Sequence, residues 1–148
     1  MAEEFTDPRD TPLHPRRQFD LVGHGEAEAH LLQAFKSGKL HHAWLLSGPK
    51  GIGKATLAYR FARFLLTPGA ASMSVPPETP AARLVSAGSH PDLLVVERAP
   101  DLKNKKIKTE IAVDNAREAA QFFSRTAGSG GYRICIVDSA ADMNAESA

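Results

Sequence analysis

The chain has 148 residues, 43% of them hydrophobic and 24% charged, with a net charge of +1. That length supports one globular domain with a real core, and the near-neutral balance supplies no whole-chain attraction for nucleic acid. The single cysteine, Cys135, excludes an internal disulfide framework or a cysteine-only zinc site; no stretch reaches the roughly 18 apolar residues of a membrane span, and the acidic start lacks an apolar signal region, so a cytoplasmic protein with no membrane contact is expected.

Residues 1–19 are polar and carry Pro8, Pro12 and Pro15. They read as a flexible arm, with His14-Pro15-Arg16 the place for local order. From Gly25 the pattern turns helical, with Ala27, His30, Leu31, Leu32, Ala34 and Phe35 on one stripe and Ser37-Gly38 at its end. A first strand is predicted at about His42–Ser47, and a second helix from the loop after it to about Leu66. Residues 67–80 are loop. Thr79-Pro80 reads as the N-cap and first-turn proline of a short helix to Val85 or Ser86, closed by Gly88. His90-Pro91-Asp92 leads into a second strand, Leu93–Glu97. Asp101–Lys108 is polar and basic. Asp114 is the expected N-cap of a helix over about Asn115–Thr126. A turn at Gly128–Gly131 precedes a third strand, Tyr132–Val137, that ends in Asp138. Strands alternating with helices point to an α/β fold with a largely parallel sheet. Asn144 would cap a further helix, but Ala145–Ala148 supply only its first turn, too short to stand. The sequence therefore reads as a fragment.

The segment Gly48-Pro49-Lys50-Gly51-Ile52-Gly53-Lys54-Ala55-Thr56 carries the chemistry. It follows the apolar run Ala43–Leu46 and opens a helical pattern, the strand–loop–helix context of a phosphate-binding P-loop. Glycines let backbone N–H groups curl around an anion, and the helix N-terminus adds a favourable dipole. Lys54 is placed to reach the terminal phosphates. The next position ordinarily carries Ser or Thr, whose hydroxyl holds Mg²⁺; here it is Ala55. Thr56 sits about 100° further around the helix and is no simple substitute.

The third strand, Ile134–Asp138, has the form of the second half of such a site, where the carboxylate orients Mg²⁺ and its water. Many ATPases follow that Asp with Glu; here the next residue is Ser139. Loss of a general base costs about 10²–10⁴-fold. Nucleotide binding by the loop and Lys54 is therefore expected to outlast hydrolysis. The Lys103, Lys105, Lys106 and Lys108 cluster could touch phosphates. It lacks interleaved aromatics and reads first as a solvated loop. His41, His42 and His90 lack partners at metal-ligand spacing.

These residues resemble a known family. Gly23-His24, Ala27-Glu28, His41–Leu46, Gly48–Lys54, Gly88–Asp92, Val113–Glu118 and Val137–Ala140 run in the order seen in delta-prime subunits of the bacterial DNA polymerase III clamp loader. The resemblance spans about residues 13–148. It implies a three-layer AAA+/P-loop NTPase domain with a mainly parallel sheet over residues 20–148, C-terminally incomplete, without the family's lid and collar domains. It also implies a stator, an accessory subunit of the DNA polymerase III holoenzyme (a nucleotidyltransferase complex) with no ATPase activity of its own. Its partners would be the gamma/tau motor and delta subunits of a hetero-pentameric ring, and through them the sliding clamp and primed DNA. ATP, with Mg²⁺, would be a weak or vestigial ligand. The four-cysteine zinc module of many relatives has no counterpart in residues 67–87, so no zinc is expected. The family's arginine finger lies past the end of the chain. A strand after Asp138 would sit in the middle of the family's sheet; without it the sheet would be gapped and the piece poorly stable alone. Two alternatives remain at this point. One is an active AAA+ ATPase such as a gamma/tau-like motor. The other is a small-molecule P-loop kinase, which would need several lid arginines where residues 67–87 offer only Arg83.

Overall fold

A computed structural model describes residues 7–97, 100–101, 106–107, 113–125 and 131–138. The chain divides into two units, Pro15–His90 and a second formed by Met1–His14 with Pro91–Ala148.

In the unit Pro15–His90, helix α1 (Gly25–Lys36) carries Glu26 and Glu28 in its first turn and Lys36 in its last, charges that complement the helix dipole. Helix α2 (Lys54–Leu65) buries Leu57, Phe61 and Phe64 along a helical stripe. These join Leu31 of α1 with Met73, Val75 and Ala82 in one core. Phe35 meets Phe64 edge-on with ring centroids 4.8 Å apart. Helix α3 (Pro80–Ala87) starts with proline in its first turn and stops where Gly88 turns left-handed at φ 73°. The Ser89 amide then donates to the Leu84 carbonyl at 2.9 Å, closing the last turn. The Thr79 hydroxyl does not cap the helix as its sequence position suggests; it donates backward to the Pro76 carbonyl at 2.9 Å.

The strand predicted at His42–Ser47 is not a strand: the segment pairs with no other among the described residues. An apolar run supplies only half of a strand, because its backbone N–H and C=O groups need a neighbouring ladder. The side chains still alternate. Trp44 and Leu46 pack against the core, while Leu45 between them is 82% exposed. His41, considered above for metal binding, instead packs edge-on against Trp44 with centroids 5.2 Å apart.

In the second unit, strand β1 (Leu93–Glu97) pairs in parallel with β4 (Ile134–Asp138), Leu93 opposite Ile134 and Glu97 opposite Asp138. A parallel pair needs a crossover, and helix α4 (Val113–Phe123) lies within it, against β1. The basic segment Asp101–Lys108, read as an open loop, contributes instead to a two-residue antiparallel pair, β2 (Pro100–Asp101) with β3 (Lys106–Ile107). Residues 8–10 and 15–17 form single 3₁₀ turns. The Lys103, Lys105 and Lys108 positions, most of the Gly128–Gly131 turn, Ser139 and the cap expected at Asn144 lie outside the described residues.

The His-Pro-Asp element has a structural task. Asp92 is 1% exposed. Its carboxylate accepts from Arg133 Nη1 at 3.3 Å, and its carbonyl accepts from the Ile134 amide at 2.9 Å. The Arg133 guanidinium also lies over the Phe122 ring at 4.0 Å. One residue thus ties the start of β1 to the start of β4. Asp92→Asn keeps the shape but removes the negative charge that faces Arg133. We expect urea unfolding to show a loss of about 2 kcal/mol; a change below about 0.5 kcal/mol would place Asp92 among ordinary surface positions.

Cys135 is half-buried. Burial, helped by the negative charge of Glu118, pushes its thiol up to about 11. The thiolate is scarce at neutral pH, so this cysteine is structural rather than reactive.

Candidate functional site

The glycines of Gly48–Thr56 do what the sequence requires of them. Gly51 and Gly53 take φ 86° and 101°, a region that side-chain-bearing residues avoid. Gly53 is the N-cap of α2. A Cβ there would fall 2.8 Å from Leu21 Cδ1, and one on Gly48 would fall 2.6 Å from Ile52 Cδ1. Each of those atoms is the far end of a flexible side chain, so the need for glycine at both positions rests on backbone conformation, φ 152° at Gly48 and 101° at Gly53.

Pro49, Lys50, Gly51 and Ile52 are exposed in the turn, while Lys54, Ala55 and Thr56 form the first turn of α2 and are half-buried. Their amides precede the first intrahelical bond, Leu57 N–H to the Gly53 carbonyl at 2.9 Å. Such first-turn donors are free for an anion. Lys54 Nζ folds back and donates to the Gly48 carbonyl at 2.6 Å. The loop is therefore closed on its own lysine, and an incoming phosphate would trade against that contact.

The residues present fit a phosphate: glycines at positive φ, a helix N-terminus and a lysine at the loop mouth. They do not supply the usual magnesium handle, since Ala55 ends in a methyl group and Thr56 occupies the next position round the helix. Asp138 is half-buried at the end of β4. It belongs to the second unit, whereas Gly48–Thr56 belongs to the first.

Sequence reading missed the contacts that hold the loop's helix. Arg60 and Arg63 of α2 are 7% and 1% exposed. Arg60 Nε donates to Glu28 Oε1 at 2.5 Å, and its Nη1 donates to the Phe19 carbonyl. Arg63 donates to the carbonyls of Gln18 at 2.9 Å and Arg16 at 2.6 Å, with Phe19 stacked 4.1 Å from its guanidinium carbon. No apolar stripe signals both: at 100° per residue Arg60 flanks residues 57, 61 and 64, while Arg63 falls about 130° round the helix from their centre. A third missed contact joins His24 to the loop, its Nε2 lying 2.5 Å from the Ile52 carbonyl.

Comparison with known proteins bears on what this loop belongs to. A family model described as "DNA polymerase III, delta subunit" matches residues 23–148. The chain is 38% identical over 107 residues to DNA polymerase III subunit delta' of Pseudomonas aeruginosa, covering 72% of this chain and 31% of that protein. It is 30% identical over 111 residues to subunit delta' of Escherichia coli, covering 75% of this chain and again 31% of the relative. DNA polymerase III subunit tau/gamma of Haemophilus influenzae is more distant, 25% identical over 124 residues. The chain thus spans about a third of the length of the delta' relatives. No helix among the described residues is long and apolar enough to cross a membrane.

Proposed function

The chain belongs to the DNA polymerase III delta subunit family, and on that premise we propose that it serves as a delta-prime-type subunit of a clamp loader. In this reading it works in the cytoplasm, inside a hetero-pentameric ring with motor and delta subunits, and helps place a sliding clamp on primed DNA. Its contribution is architectural. The nucleotide loop Gly48–Thr56 binds ATP weakly or as a structural ligand, with Mg²⁺ coming with the nucleotide, and without turnover. Asp138 is the remnant of the magnesium-orienting strand end. Zinc has no part in it.

The observation that carries this reading is the pairing of a well-formed loop with Ala55 at its metal position. Glycine conformation, helix N-terminus and Lys54 all support anion binding. A motor would need the hydroxyl at residue 55 and a glutamate after Asp138, and the sequence has Ala55 and Ser139. When bound, the nucleotide would supply phosphate oxygens for the first-turn amides of α2 and for Lys54. The chain's own part is to hold them.

Titration with a fluorescent ATP analogue, with and without Mg²⁺, tests this, with phosphate release followed in the same samples. Saturable binding that changes little with Mg²⁺, and no phosphate release, is the expected result. Turnover at an ordinary ATPase rate, on the order of 1 s⁻¹ or above, would replace the stator by the motor reading.

A further inference from the structure

We infer that His24 is a positioning residue of the Gly48–Thr56 loop, acting through the carbonyl of Ile52; the inference rests on reading that loop as the nucleotide site. His24 stands at the N-cap position of α1, but its side chain makes no cap bond to that helix. Instead its Nε2 reaches 2.5 Å from the Ile52 carbonyl, 28 residues away in sequence. A carbonyl oxygen only accepts, so Nε2 carries the proton.

The bond acts at the hinge of the loop. The Ile52 carbonyl belongs to the peptide that leads into Gly53, whose φ of 101° sets the direction in which α2 departs. Fixing that peptide plane fixes where the first-turn amides point. Leu21 supports the same spot: a Cβ on Gly53 would meet Leu21 Cδ1 at 2.8 Å and His24 Nε2 at 3.6 Å. Two side chains of residues 21–24 thus converge on one loop residue. His24 touches only the loop's backbone, so its effect on a ligand is indirect. A glutamine places an amide N–H at the same reach along the side chain and can replace the donor; alanine cannot.

The test uses the full chain as wild type, His24→Ala and His24→Gln. Hydrogen exchange at the Leu57 amide, which donates to Gly53, is followed without nucleotide, and a fluorescent ATP analogue is titrated alongside. One hydrogen bond is worth about 1 kcal/mol, or about fivefold. H24A should speed Leu57 exchange by about fivefold and weaken analogue binding by a similar factor, with the unfolding midpoint little changed and H24Q close to wild type. Unchanged exchange in H24A would overturn the inference. So would faster exchange across the whole unit that H24Q fails to restore, since that describes a general folding defect. If wild type binds no analogue while H24A still frees Leu57 and H24Q restores it, the positioning role stands and the nucleotide reading is what fails.

Discussion

Replacing Arg63 by alanine is expected to remove about 3 kcal/mol of stability from the unit Pro15–His90. Arg63 is 1% exposed and donates to backbone carbonyls of the segment that precedes α1. The Arg16 carbonyl accepts from Ser86 Oγ as well, at 3.4 Å, and the guanidinium is a staple that fixes residues 16–19 onto α2. Alanine deletes the donors, the stacking on Phe19 and the volume together. Such a loss is a large share of the 5–15 kcal/mol that holds a small domain. The midpoint of thermal unfolding should drop by roughly 12–24 °C. Arg63→Lys keeps the charge but not the planar fork, and should recover less than half of the loss. A drop below about 1 kcal/mol in R63A would mean that water serves those carbonyls equally well.

Desolvation, with repulsion from Arg60 behind it, lowers the Arg63 guanidinium to about 10, while Tyr59 opposes the shift. Its folded value therefore lies below the unfolded one. Near neutral pH the side chain is charged in both states, and its titration adds no slope to stability there. Above about pH 10 the native state gives up the proton before the unfolded chain does, so this group's contribution rises with pH there.

The second large effect concerns ligand binding. Lys54→Ala should weaken binding of the ATP analogue about ten- to 100-fold, the worth of one charged hydrogen bond to phosphate. The variant also frees the Gly48 carbonyl, which Lys54 now engages, so part of the lost binding is returned by not having to break that contact. Ala55→Ser provides the contrast. It restores a hydroxyl in the first turn of α2, and analogue binding should become dependent on Mg²⁺. Hydrolysis should stay absent, because Ser139 still follows Asp138 in the sequence. Identical affinities for wild type and K54A would show that the loop holds no phosphate. Phosphate release by A55S alone would show that the hydroxyl was the sole missing group.

Much of the candidate site's backbone was legible in the linear sequence. The glycine spacing predicted the loop, and the backbone adopts the positive φ values that only glycine takes easily. Thr79-Pro80 and Gly88 framed α3 to within a residue or two, because caps act over one turn. Leu93–Glu97 read directly as β1, and the third strand was placed with its start two residues early, since the Ile134 amide first bonds to the Asp92 carbonyl. The strand at His42–Ser47 failed for a specific reason. Its side chains alternate as a strand's do, but side-chain pattern carries no information about whether a ladder partner lies alongside.

The glycine-rich loop Gly48–Thr56, the lack of a hydroxyl at residue 55 and membership of the family could be read from the linear chain, because these depend on residue types at fixed short spacings. The burial of Arg63 and Arg60, the pairing of Asp92 with Arg133 and the bond from His24 to the Ile52 carbonyl appear only in the folded chain. Each of those contacts joins residues 28 or more positions apart. A charged or aromatic side chain has the same local propensity whether it meets water or a carbonyl from elsewhere in the chain, and folding alone chooses between them.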